Sequence, residues 1–386
     1  MSNSAAPALF QPIQVGNMTL GHRLVLAPLT RFRASASHAP QPVAAQYYEQ
    51  RAAEPGTLLI TEATFIDAKA GGYPNAPGIW TQEHVEGWRR VVDAVHAKGC
   101  RIFLQMWNLG RAADAANLKE ETGADVVSAS DIPMEGGPTP RPLTVEEIQE
   151  HVGYYARAAK LFVEEAGGDG VEIHNANGYL LDQFLQTVSN KRTDAYGGSV
   201  ENRARFPLQV LDAVCAAVGA ERVGVRLSPY SPWQSMGMQP AEVEETYTYY
   251  VKQARERHSN LAYLHCITAR MAGILDVEGD KASQSLDFIH ALWAPRPFIL
   301  AGGFTPESAR AAAAAHDNTL VAMGRYWISN PDLVRRVRDE IPFTPYNRET
   351  FYQYGPDKVH GYIDYPCAGE ERAEPRVEGV PAHARM

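Results

Sequence analysis

Eight short apolar runs, spread over one chain of 386 residues, most constrain what this sequence can fold into. They are LVLAP (24–28), TLLITEA (57–63), RIFLQMW (101–107), GVEIH (170–174), VGVRLS (223–228), AYLHCI (262–267), FILAGG (298–303) and LVAMGR (320–325). Each is nearly continuous in Val, Ile and Leu instead of alternating, which is the pattern of parallel strands covered on both faces. Helix signals lie between them. Thr144 and Glu147 form a capping-box pattern ahead of Ile148, Val152, Tyr155, Ala159 and Phe162. Thr305 with Pro306, and Asn330 with Pro331, each place a cap residue before a first-turn proline. Val85, Trp88, Val92 and Val95 mark another amphipathic face, whereas Pro207 predicts that the helix over 199–217 starts late or kinks.

Eight strands alternating with helices, with no linker, predict a single α/β domain over residues 1–386: a (β/α)8 TIM barrel. Its core covers about residues 8–366, with a C-terminal tail after about 367. Gly16 and Asn17 in IQVGNMTL predict an N-terminal β-hairpin at the barrel floor. The Gly-, Pro- and Ala-rich stretch 108–143 predicts a long loop excursion after strand 3, over the active face.

The formal charge of −9 argues against nucleic acid, which binds through clustered Lys and Arg, so small molecules are the expected partners. No apolar run approaches the roughly 20 residues that span a bilayer, and MSNSAAPALF has no basic n-region followed by an apolar h-region, so neither membrane insertion nor secretion is expected. Cys100, Cys215, Cys266 and Cys367 are scattered, which predicts reduced core thiols in a cytoplasmic protein.

In such barrels the chemistry sits at the carboxyl ends of the strands. A retaining glycosidase needs paired carboxylates there; Glu62 and Glu172 are available, but the later strands end in Arg226, His265, Gly302 and Gly324. No run contains the desolvated Lys of a Schiff-base aldolase, and lone histidines do not make a metal site. The last two strands instead end in AGGF and MGRY ahead of helix starts, where bare backbone N–H groups can approach a phosphate and Arg325 adds charge. Arg226, inside an apolar strand, needs an anionic or acceptor partner. With Thr30, Gln105, His174 and Asn177 this set suggests a planar, phosphate-bearing cofactor such as FMN. His265 reads as structural, and the charges of KRTDAYGGSVENRARF as ordering the loop after the fourth strand.

The chain also resembles a known family along nearly its whole length. LFQPIQVGNMTLGHRLVLAPLTRFRA, RAAEPGTLLITEA, FLQMWNLGR, DGVEIHNANGYLLDQFLQTVSNKRTDAYGGSVENRARF, VGVRLSP, MGRYWISNPDL and FYQYGPDKVHGYIDYP are similar, in order, to the Old Yellow Enzymes. Those are FMN-dependent ene-reductases on a (β/α)8 barrel. Within them LITEAT, GRAAD and LSPYS resemble the fungal branch that contains the chanoclavine-I aldehyde reductases and isomerases.

The resemblance implies tightly bound FMN, NADPH as hydride donor, and activated alkenes as substrates, in a monomer or homodimer. Pro28, Thr30 and Ala63 should touch the flavin; Gln105 and Arg226 should bind its pyrimidine end; Gly302, Gly303, Gly324 and Arg325 should hold its phosphate. His174 and Asn177 match the pair that binds the substrate oxygen, with His174 also against the cofactor, and Tyr179 matches the proton donor. Trp107, Trp233 and Tyr352 should shape the substrate pocket. Ala63 stands where relatives often have Gly, and Gly303 where some have Asn; the segment 270–284 aligns poorly and carries no assignment. In the isomerases the proton donor is Phe, so Tyr179 favours net reduction. The alternative is an FMN-dependent isomerase or reductase dedicated to one fungal secondary metabolite.

Overall fold

The computed structural model describes residues 6–371 except 270, 273–274 and 277–283. Every predicted apolar run contains a strand: β1 (Leu24–Leu26), β2 (Leu58–Ile60), β3 (Arg101–Trp107), β4 (Gly170–Asn175), β5 (Val223–Leu227), β6 (Tyr263–Ile267), β7 (Phe298–Ala301) and β8 (Thr319–Met323). Each pairs in parallel with the next, and β8 pairs with β1, so the sheet closes into a barrel. Helices α1 (Pro42–Arg51), α2 (Gln82–Ala97), α3 (Val145–Lys160), α4 (Val200–Val218), α5 (Pro240–Arg257), α6 (Asp287–Trp293), α7 (Pro306–Ala315) and α8 (Leu333–Arg338) follow the strands in turn.

Two apolar clusters explain why the strands do not alternate. Leu24, Leu26, Ile102, Leu104, Val171, Ile173, Val225 and Leu227 point outward and pack with the helices. Their neighbours Val25, Leu58, Ile60, Phe103, Tyr263, Ile299 and Leu320 point inward. The predicted hairpin forms, pairing Ile13–Val15 with Met18–Leu20, and Val15, Met18 and Leu20 join the inward cluster at the floor. Gly16 is required there: its φ is +54°, and a Cβ would lie 1.9 Å from the Glu221 carbonyl oxygen.

The capping boxes of α3 (Thr144 with Glu147) and α7 (Thr305 with Ser308) are present. Asn330 with Pro331 is a correction: α8 begins later, at Leu333, with Asp332 as its N-cap. The Asn330 side chain instead ties a turn, donating to the Tyr326 and Thr344 carbonyls and accepting from Thr344 N. Around Pro207 the late start is corrected, because α4 already begins at Val200 and carries the proline inside it. Burial of Phe206, Leu208, Val210 and Leu211 offsets the one backbone hydrogen bond that Pro207 removes. Cys100, Cys215 and Cys266 are buried, but Cys367 is only half-buried and so is not a core thiol.

The excursion after β3 holds a short helix, Ala115–Thr122, and a two-stranded ribbon of Val127–Ser128 with Arg141–Pro142. Leu109, Ala112, Leu118 and Val126 pack with Trp107 and Phe32, and Tyr179 leans on the same cluster. The excursion thus covers the carboxyl end of the barrel beside β3 and β4. Arg192 and Arg203 do order the loop after β4: Arg192 donates to the Ala129 and Leu143 carbonyls, and Arg203 to the Leu185 carbonyl and Thr246.

Candidate functional site

The barrel's polar residues converge where β4 ends. His174 is the last but one residue of β4 and is almost fully buried. Asn177 (φ +56°) and Gly178 (φ +74°) then turn the chain, and Tyr179 becomes the N-cap of the helix Leu180–Leu185. Three backbone N–H groups pin the turn: Asn177 N donates to Ser228 Oγ (2.7 Å), Gly178 N to Asp182 Oδ2 (2.8 Å) and Leu180 N to Asn108 O (3.1 Å). Gly178 admits no side chain, since a Cβ would sit 2.8 Å from Met236 Cγ and 3.1 Å from the Trp233 carbonyl oxygen. That close approach brings the 233–236 turn beside Tyr179.

The Tyr179 ring lies edge-on to Trp107 (centroids 5.0 Å apart) and to His174 (4.9 Å). Burial, with Arg226 and His265 nearby, holds the His174 imidazole well below its ordinary pKa, so it is neutral at pH 7. Burial, reinforced by Tyr73, pushes the Tyr179 hydroxyl far above 10, so it keeps its proton. Its neighbour Asp182 is raised to about 6 by burial, against the hydrogen bonds from Gly178, Gln186 and Tyr247.

Above the apolar floor the barrel has two unlike halves. From β3 to β6 the inward positions are Gln105, Glu172 and His174, Arg226, and His265, all buried. From β7 round to β1 they are Ala301, Ala322 and Ala27. Polar groups thus face small side chains across the barrel. Gln105 Nε2 donates to Glu172 Oε1 (2.7 Å), and Glu172 Oε2 meets His265 Nδ1 (2.8 Å). Several buried atoms find no hydrogen-bond partner among the described residues: His174 Nδ1, Asn177 Oδ1, Arg226 Nε, Trp107 Nε1 and His265 Nε2. Because stranded buried polar groups are costly, this set fits a polar-edged ligand in the barrel mouth.

Pro28 and Thr30 are half-buried just past β1, and Ala63 is buried just past β2 against Phe32 and Trp107. Gly302 (φ +129°) and Gly303 (φ +61°) follow β7, a backbone that strongly favours glycine at the first position. Gly324 caps the short helix Arg325–Ser329 after β8, where a Cβ would press on Leu29 at 3.0 Å. Trp233 is half-buried, and Tyr352 is largely exposed with its ring 5.9 Å from Phe32. Most of the segment 270–284, and residues 372–386 of the tail, lie outside the described residues.

Three features escaped the sequence reading. Glu172 and His265 form one buried pair; Glu172 lies two residues before His174 and hence on the same face, a signal that was legible. Phe32 stands at φ +59°, rare for an aromatic residue, and continues the wall formed by Trp107: Tyr73 bridges the two, and Tyr354 stacks on Phe32 at 4.8 Å. Arg31 and Arg33, both fully buried, donate to the carbonyls of Phe351 and Gly361, and of Thr350, Phe351 and Lys358, respectively. They fasten the C-terminal segment that carries Tyr352 and Tyr354 to the barrel mouth.

Residues 8–343 match the profile of the NADH:flavin oxidoreductase / NADH oxidase family. The chanoclavine-I aldehyde reductase fgaOx3 of Penicillium roqueforti is 48% identical over 94% of this chain and 97% of its own. A probable inactive reductase, easA of Epichloe festucae var. lolii, is 46% identical over 96% and 98%. The crystal structure of Old Yellow Enzyme from Pichia sp. AKU4542 superposes with a TM-score of 0.86 at 38% identity, covering 95% of each chain.

Proposed function

This chain belongs to the NADH:flavin oxidoreductase / NADH oxidase family, among the Old Yellow Enzymes, and from that premise we propose that it is an FMN-dependent ene-reductase using NADPH. Its substrates are α,β-unsaturated carbonyl or nitro compounds, and its product is the saturated compound. FMN, when bound, supplies the hydride relay from NADPH to the β-carbon of the alkene. The residues present suit that group. Gln105 would offer its amide oxygen and Arg226 a donor to the pyrimidine end, Pro28, Thr30, Ala63 and His174 would line the ring, and Gly302, Gly303, Gly324 and Arg325 would hold the phosphate. The small side chains of the alanine half suit a flat ring system.

The protein's own part is to hold an oxygen and give a proton. His174 Nδ1 is buried without a partner among the described residues; an imidazole N–H there, with the Asn177 side-chain NH2, would stabilise negative charge on a substrate oxygen as an enolate develops. Tyr179 then protonates the α-carbon. A neutral tyrosine suits this step, since its surroundings keep the hydroxyl protonated at any working pH. The observation that carries the reading is this joint: a buried imidazole, an amide and a tyrosine hydroxyl within a single strand-to-helix turn.

The test is anaerobic and visible. Purified protein is expected to be yellow, to bleach with NADPH more readily than with NADH, and to recover its colour with cyclohexenone, maleimide, a nitroalkene or an unsaturated aldehyde. A colourless protein that takes up no FMN removes the cofactor reading; bleaching without recovery by any of these alkenes removes the alkene reading. The similarity to a chanoclavine-I aldehyde reductase favours a second reading, a reductase or isomerase dedicated to one fungal secondary metabolite. Turnover of such a substrate with NADPH omitted identifies an isomerase.

A further inference from the structure

One buried acid has no part in the proposed reaction. Glu172 is on β4, fully enclosed, and ionised carboxylates do not stay in such places without strong partners. Its hydrogen-bond partners come from two other strands, Gln105, opposite it in the β3–β4 register, and His265 on β6; Arg226, opposite both His174 on β4 and His265, acts on it through its charge. A carboxylate only accepts hydrogen bonds. The 2.7 Å contact with Oε1 therefore has to be the Gln105 amide nitrogen, which turns the Gln105 oxygen away from Glu172. The 2.8 Å contact with Oε2 likewise has to be a donating His265 Nδ1–H.

The charges follow from the same neighbours. Burial opposes ionisation of Glu172, but His265, Arg226 and Gln105 outweigh it and hold its pKa below the ordinary 4.5. Burial and Arg226 together lower the pKa of His265, against the pull of Glu172, so the imidazole is a neutral donor. The layer beneath the barrel mouth thus holds one guanidinium cation, Arg226, and one carboxylate, Glu172.

Building on the ene-reductase reading, we propose that Glu172 is a positioning residue for the flavin. It orients the Gln105 amide and offsets the Arg226 charge, thereby limiting how strongly the protein favours the anionic reduced ring. His265 holds Glu172 in place and carries no charge itself.

The test uses FMN-loaded protein and two readouts that need no turnover, the flavin midpoint potential and the affinity for sulfite, which adds to the ring as an anion. Glu172→Gln is nearly isosteric and removes one negative charge. It is expected to retain FMN, to shift the potential upward and to bind sulfite about tenfold tighter or more, the scale of one unit charge acting at short range inside a protein. His265→Gln replaces one neutral donor with another and is expected to leave both readouts close to the parent's. Parent-like values for folded Glu172→Gln overturn the charge role. Should that variant not fold, His265→Gln decides alone: a downward shift would mean that His265 carries the cation, and overturns the assignment. A parent protein that takes up no FMN overturns the functional reading instead, and is recognised before any variant is compared.

Discussion

Tyr179 owes its proposed role to three contacts. Trp107 and His174 fix the ring edge-on, and enclosure keeps the hydroxyl protonated. Tyr179→Phe preserves the ring and removes only the hydroxyl that carries the proton. Bleaching by NADPH is expected at the parent's rate, while reoxidation by an enone slows roughly a hundredfold to ten-thousandfold, the usual worth of a positioned general acid. Stopped-flow measurement of the two half-reactions separates them, and an unchanged second half-reaction means that the proton comes from elsewhere. His174, Asn177 and Tyr179 were legible as residues, because a polar triplet at the end of an apolar run stands out. Their mutual arrangement was not, since it depends on the positive φ of Asn177 and on Gly178 accepting the 233–236 turn.

Among the elements, the segment 350–361 depends most on distant partners. It has hardly any regular structure of its own beyond the turn Arg348–Thr350, and Arg31 and Arg33 hold its carbonyls from more than three hundred residues away. Arg33→Met would remove the donor to the Lys358 carbonyl and leave those of Thr350 and Phe351 to Arg31 alone, at roughly 1 kcal/mol for a hydrogen bond so lost. Lys358 is exposed in this segment. Trypsin is therefore expected to cut the variant at Lys358 well before the parent, with a lowered Tm, and the KM for bulky alkenes should rise as Tyr352 and Tyr354 lose their seating. Mass spectrometry of a timed digest reads the first effect; a parent-like digest would show that the two arginines do not hold the segment. Nothing in the sequence near Arg31 or Arg33 announces these partners, because hydrogen bonds to backbone carbonyls leave no mark in residue type.

Across the whole molecule, buried titratable groups set the response to pH. His22 Nδ1 accepts from Leu24 N (3.2 Å) while Nε2 meets Thr57 Oγ1 (2.8 Å), and His151 Nδ1 lies 3.0 Å from the Asn108 amide. Burial above all lowers both from 6.5 to about 4. The unfolded chain takes up these protons as pH falls below 6.5, and the folded chain does not until about 4. The stability each histidine contributes is therefore present above pH 6.5 and lost towards pH 4, about 3 kcal/mol apiece at 1.4 kcal/mol per pH unit.

Glu62, raised by burial from 4.5 to about 7, works in the opposite sense: its contribution is present below pH 4.5 and lost as pH rises through 7. His174 and His265, also lowered by burial, add to the acid side. Tm is expected to fall from pH 7 to 4.5, less steeply in His151→Gln and more steeply in Glu62→Gln. Scanning calorimetry across that range checks both, and parallel curves for parent and variants contradict the account.

The sequence by itself determined that eight strands would be buried on both faces and that helices would cover them. It also marked the polar joint at the end of β4 as the candidate site, since continuous Val, Ile and Leu and a polar joint are both local patterns. It could not say which residues of each strand point into the barrel: with both faces apolar, the pattern has no phase. Closure of β8 against β1 decided that, and with it the polar and alanine halves of the mouth. The contact between Glu172 and His265, and the hold of Arg33 on Lys358, were likewise decided only by the tertiary structure. Each joins groups that are remote along the chain, and only the closed barrel brings them within hydrogen-bonding distance.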